Sequence, residues 1–161
     1  MSTTKDLLTP RYGTQDGHQP TAQPVQSAVS LYIGQVAVTR AGYLIQPDTA
    51  VQSTDICWGI VNGLVDSQET VSSPIAGGTA AGLHIAGIDT GTFFLTPGTS
   101  SDALTQADVG ATVYLIDGNT AGKTDGGAAR PPVGKLAAIG EGPYSGLVAV
   151  TIGNNASTGS V

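Results

Sequence analysis

The residues with the clearest chemical potential lie between Val113 and Lys135, in VYLIDGNTAGKTDGGAARPPVGK. Gly122-Lys123-Thr124 is the ending of a phosphate-binding loop, whose G-x-x-x-x-G-K-[ST] pattern wraps backbone N–H groups around phosphates before a helix. The preceding glycine here is Gly118, one residue too close, and Asp117 holds the required position with a charge that repels phosphate. Asp125-Gly126-Gly127 is then a poor helix start. Asp117-x-Asn119-x-x-Gly122 also opens like a calcium loop, but its fifth position is Ala121. Its twelfth, where a bidentate Glu closes the oxygen cage, is Ala128. No nucleotide, metal or other cofactor is expected. The stretch reads as a long Gly/Asn/Asp hairpin loop between an apolar strand before it and another after Pro132.

Asp89-Thr90-Gly91 resembles the catalytic triplet of aspartic proteases, placed after an apolar strand as in that family. A single triplet implies a homodimer of the retroviral type, in which two Asp89 carboxylates share a proton. Thr92 stands where those enzymes carry Ala or Ser, and Thr151-Ile152-Gly153 leads into NNASTGSV rather than a helix and dimerising strand. The simpler expectation is a tight turn joining LHIAGI to TFFL. Cys57, between Ile56 and Trp58, reads as a small core residue. His18 and His84 have no ligand at metal-binding spacing. Glu69 and Glu141 are the only glutamates, so a paired-carboxylate glycosidase site would need Asp residues that occupy ordinary turn positions. The chain is expected not to be an enzyme.

The elements that would carry these residues are short. The chain has 161 residues, of which 23 are Gly and nine Pro, which disfavours long helices. Charged residues make up 11% and the net charge is −6, so nucleic acid is not an expected partner. The single cysteine excludes an internal disulfide framework, and no apolar run approaches the ~20 residues of a membrane span. The N-terminus lacks an apolar signal region, so a soluble protein made in a cytoplasm is expected. Residues 1–29 are Thr-, Gln- and Pro-rich and read as a flexible arm. From Ser30 to about Gly153, runs such as LYIGQVAVTR, DICWGIVNGLV and GATVYLIDG alternate with turn residues. That pattern predicts an all-β body, a small barrel or sandwich of short antiparallel strands. Thr105 is placed to cap a single helical turn through Asp108, ended by Gly110. Residues 154–161 read as a loose tail.

The second half, LTQADVGATVYLIDGNTAGKTDGGAARPPVGKLAAIGEGPYSGLVAVTIG, resembles the C-terminal part of the head decoration, or capsid cement, proteins of tailed bacteriophages. The carrying motifs are the Thr-x-x-Asp-Val-Gly turn at 105–110, the Val-Tyr-Leu strand at 113–115 and Val-Gly-x-Leu at 133–136. A final alternating strand at 147–152 completes them. More loosely, GQVAVTRAGYLIQP resembles the first hairpin of that family and Trp58-Gly59-Ile60-Val61 the strand after it. The departures are the longer insert from Gly118 to Pro132 and the long arm.

The resemblance implies a structural virion protein on the outer surface of the phage head. It would bridge subunits of the major capsid protein, most simply as a homotrimer, with no membrane or nucleic-acid partner. A tail or baseplate component is the alternative within the same setting. Leu7, Leu8, Arg11, Tyr12 and Val25 are the arm residues expected to contact the capsid, because separated anchors on an extended segment suit groove or strand-addition docking.

Overall fold

The computed structural model describes residues 21–48, 50–64 and 74–152. It is all-β, with no α-helix among those residues. The strands are β1 (Thr21–Pro24), β2 (Ser30–Leu31), β3 (Val36–Arg40), β4 (Tyr43–Ile45), β5 (Ile56–Leu64) and β6 (Ile75–Ala76). They continue with β7 (Ile85–Asp89), β8 (Gly91–Pro97), β9 (Thr112–Asp117), β10 (Thr120–Gly122), β11 (Pro132–Ile139) and β12 (Val148–Ile152). Two groups form. A five-stranded sheet runs β1-β7-β5-β3-β4, and a closed barrel runs β10-β8-β12-β11-β9; β2 and β6 pair separately.

The β3–β4 hairpin shows how local sequence sets register. Arg40 faces Tyr43 across two loop residues, Ala41 and Gly42, both at positive φ (51° and 85°). Two positive-φ residues give a turn whose twist matches that of the flanking strands. In β5, Ala37 faces Gly59 while Val38 faces Cys57, so Trp58 is an extra residue. The bulge shifts the side-chain phase, and Cys57 and Ile60 both join one core while Trp58 and Val61 join the other.

Those two cores organise the molecule. The first fills the barrel with Phe93, Leu95, Val113, Leu115, Leu136, Val150 and their neighbours, and extends to Val36, Val38, Ile45, Cys57 and Ile60 of the sheet. The second lies against the sheet's opposite face and holds Val25, Leu31, Ala37, Leu44, Val61, Ile75, Ala86 and Ile88. Each fully buried Val, Leu, Ile or Phe contributes about 1.5–3 kcal/mol of transfer free energy, so the shared first core ties sheet to barrel. Close backbone approach fixes two glycines of the motifs. A Cβ at Gly134 would lie 2.0 Å from the Thr151 carbonyl oxygen, and one at Gly59 would lie 2.1 Å from that of Asp89.

Three expectations need correction. Residues 21–29 belong to the body rather than to an arm: β1 pairs in register with β7, Gln26 N–H donates to the Leu44 carbonyl (2.9 Å), and Val25 is fully buried. Backbone ladder bonds hold this segment, so its sparse apolar residues gave no strand signal. Residues 118–132 are not a plain hairpin loop, because β10 folds back on β9 and pairs parallel with β8, closing the barrel. Asp89-Thr90-Gly91 is not a tight turn. Asp89 pairs with Ile60 in the sheet and Gly91 with Ile152 in the barrel, so the triplet carries the chain from one to the other.

Candidate functional site

The insert after β9 is held from both sides. At its start, Asn119 N–H donates to Asp117 Oδ1 (3.1 Å), and Gly118 N–H donates to Asp48 Oδ1 (3.0 Å). Val36 N–H donates to the Gly118 carbonyl (2.8 Å), which joins the loop to the sheet. Two short 3-10 turns, Ser100–Asp102 and Gln106–Asp108, supply the remaining clamps. Asp102 accepts from the Thr124 hydroxyl (2.6 Å) and N–H (3.1 Å) on one oxygen, and from Arg130 Nη1 (2.9 Å) on the other. Asp108 accepts from Thr105 N–H (2.9 Å) and hydroxyl (2.8 Å), and its second oxygen lies 2.7 Å from Lys123 Nζ.

The expected single turn from Thr105 through Asp108 is present as a 3-10 turn, held by the Asp108 carboxylate accepting the Thr105 N–H and hydroxyl, the return half of a capping box. Gly110 follows at φ 89°, and its N–H donates to the Leu136 carbonyl (2.8 Å). The Lys123 ion pair, reinforced by the two Thr105 bonds, holds the Asp108 carboxyl down at about 2. The Thr124 hydroxyl, together with Arg130 and the Thr124 N–H, lowers that of Asp102. Lys123 and Thr124, the residues that would meet phosphate in a nucleotide loop, are thus engaged by carboxylates. Beyond the clamps, residues 125–129 are exposed, with Gly126, Gly127 and Ala128 all at positive φ (63°, 74° and 66°).

The other candidates are separated from one another. Asn62 Nδ2 donates to Asp89 Oδ1 at 2.7 Å on an exposed face. Cys57 is buried, and that burial, helped by Asp55, pushes its thiol well above the ordinary range, away from the nucleophilic thiolate. His84 is half-buried. Among the described residues, no three His, Cys, Asp or Glu side chains gather in a way that would hold a metal ion. No helix among them is long and apolar enough to cross a membrane.

Of the residues expected to contact a capsid, Leu7, Leu8, Arg11 and Tyr12 lie outside the described residues, as do His18, Glu69 and the 154–161 tail. Val25 is corrected: at 0% exposure it packs in the second core and presents nothing to a partner. Exposed apolar side chains that the sequence reading missed are Tyr43, Ile56, Leu83 (55% exposed) and Ile85 (41%) on the sheet half, and Val109 in the turn before β9. Leu83 and Ile85 sit two apart in GLHIAG, and that alternation was the available signal. On the barrel, Tyr144 stacks on Phe94 with centroids 4.3 Å apart while remaining partly exposed. No protein-family model matches the sequence, and no curated protein matches it.

Proposed function

We propose that the protein is a structural component of a bacteriophage virion that decorates the outside of the head and stabilises it by bridging major capsid subunits. The observation that carries the reading is that the motifs of the resemblance fall, in order, on joined parts of one barrel. The Asp108-Val109-Gly110 turn bonds to β11 through Gly110, and β9 and β12 flank β11 on either side. Each motif residue has a structural task there: Asp108 caps, Gly110 turns, and Gly134 admits the Thr151 carbonyl.

A surface with few ionic groups supports the same reading, because it can be buried against a shell at small desolvation cost. Leu7, Leu8, Arg11 and Tyr12 are the proposed capsid contacts, and a homotrimer is the proposed oligomer, since closed symmetric assembly satisfies exposed strand edges. The protein acts by binding rather than by catalysis.

Cryo-electron microscopy of virions carrying the protein tests the proposal. Density on the outer face of the head is the expected result. Density on the tail or baseplate, or none, overturns it. For the contacts, Leu7→Ala, Leu8→Ala and Tyr12→Ala should reduce head occupancy while leaving the melting temperature of the free protein unchanged. For the oligomer, sedimentation at micromolar concentration should give a trimer mass.

A further inference from the structure

A second bulge in β5 carries chemistry of its own. Val61 faces Ile88 and Gly63 faces Gly87 in β7, so Asn62 is the extra residue between two ladder positions. It is exposed, and it is the only asparagine among the described residues followed directly by glycine. Gly63 is buried in the sheet, but it has no side chain to obstruct attack by its own nitrogen. A bulged residue is less firmly fixed by the ladder than its neighbours, so local opening of the bulge exposes the Gly63 N–H.

We propose that Asn62-Gly63 is a self-modification site, converting Asn62 to aspartate or isoaspartate through a succinimide. Solvent hydroxide removes the Gly63 N–H proton, the nitrogen attacks Asn62 Cγ, and the Cγ–Nδ2 bond breaks. Nδ2 leaves as ammonia, taking its third hydrogen from water and so restoring the hydroxide. One water then adds across an imide C–N bond. Opening at Cγ leaves aspartate in a normal backbone. Opening at the Asn62 main-chain carbonyl carbon leaves isoaspartate, with the chain now running through Cγ. Water is the only co-reactant, and no oxidation state changes.

The structure says what this conversion does. Asn62 Nδ2 is the donor that meets Asp89 Oδ1 at 2.7 Å. Replacing that amide by a carboxylate sets two like charges in contact, at the position where Asp89 pairs with Ile60 and the chain leaves the sheet for the barrel. The reaction is a one-way, alkali-accelerated timer on the joint between the two halves.

Peptide mapping of the full-length protein, held in warm, mildly alkaline buffer, tests it. The peptide spanning Asn62 and Gly63 should gain the mass difference between NH and O and become a substrate for isoaspartate methyltransferase. If that peptide stays unmodified in the folded protein while a synthetic peptide of the same sequence converts, the proposal fails. Asn62→Gln should abolish the signal at this peptide, and persistence there would overturn the assignment. Asn62→Asp should melt below wild type at neutral pH. Charge repulsion raises the folded-state carboxyl pKa above its unfolded value of about 3.9, so the deficit should shrink on acidification. A deficit independent of pH would overturn the proposed clash with Asp89.

Discussion

In the barrel every strand from β8 to β12 has a hydrogen-bonded neighbour on both sides, whereas the five-stranded sheet ends on β1 and β4. Among the described residues, those two edges are joined by the Val25–Leu44 bridge and the Gln26 N–H to Leu44 carbonyl bond. The barrel also keeps its longest insert clamped by Asp102 and Asp108. Both halves carry bulges, and more of the exposed large apolar side chains lie on the sheet half (Tyr43, Ile56, Leu83 and Ile85) than on the barrel half (Val109 and Tyr144). A closed ladder leaves nothing for another chain to pair with, and a nearly closed one leaves edges and apolar side chains available. The two halves therefore differ in the surface they offer, although they share the first hydrophobic core.

Truncating each core gives the largest effects and tests whether that sharing couples the halves. Leu115→Ala in the barrel and Leu44→Ala under the sheet should each cost about 2–5 kcal/mol, since both side chains are fully buried. Trp58, the only tryptophan, sits in the sheet half and reports on it by fluorescence, while circular dichroism reports on all strands. The two signals should trace one transition in both variants, because residues of β3 and β5 help to fill the barrel core. Separated transitions would divide the halves. Gly134→Ala comes next at about 1–3 kcal/mol, the usual cost of overpacking, because its Cβ would meet the Thr151 backbone rather than a movable side chain.

The all-β class and the single turn after Thr105 were legible in the sequence because each rests on local rules, short apolar runs broken by turn residues and a polar residue placed to cap, while the β3–β4 hairpin was expected through the resemblance. β1 and β10 were not legible. The Thr-Ala-Gly of β10 is too short to show a period, and it is a strand only because β8 and β9 stand on either side of it. β1 is likewise fixed by β7, distant in sequence, which also moves Val25 from the expected contact surface to the core. Asp89-Thr90-Gly91 has the composition of a turn, but the pairing of its two ends with different sheets decides its path. For the insert, the sequence departs from the phosphate pattern at Asp117 and from the calcium pattern at Ala121 and Ala128. The partners that hold Lys123 and Thr124, namely Asp108 and Asp102, come from turns some 15–22 residues earlier, a relation that no spacing rule encodes.

The acid response separates the halves by charge rather than by packing. Both clamp carboxyls are lowered in the folded state, so their contribution is fully present above the unfolded value of about 3.9 and is lost as pH falls through the folded values, about 2 for Asp108. Between pH 4 and pH 2 the amides of residues 123–130 should lose hydrogen-exchange protection before those of β3 and β5. Arg130→Ala should remove part of this step at neutral pH, at a cost of about 1 kcal/mol, because the Arg130–Asp102 pair is partly exposed and solvent screens it. Equal loss of protection in both halves would show that the clamp does not act locally.

The smallest effect concerns two of the three described alanines in left-handed conformation, one taken from each half. Ala41 (φ 51°) is in the β3–β4 turn and Ala128 (φ 66°) at the tip of the insert, and both are exposed. An L-residue pays about 1–2 kcal/mol for that region, and glycine escapes it. Glycine also widens the unfolded ensemble, which removes about 0.4–1 kcal/mol of the gain. Each Ala→Gly change should therefore stabilise by about 0.8 kcal/mol at the middle of these ranges, and by no more than about 1.6 kcal/mol. The two should nevertheless be read out differently. Ala41 must hold a two-residue turn between paired strands, so Ala41→Gly should strengthen the Arg40–Tyr43 register and slow exchange in β3 and β4. Ala128 lies beyond the clamps, where Ala129 and Arg130 N–H both donate to the Asp125 carbonyl, so relief there should stay within the tip. Thermal melts of the two variants, with amide exchange, check both sign and locality. A loss of stability in either would mean that the left-handed alanine is held by contacts worth more than its strain.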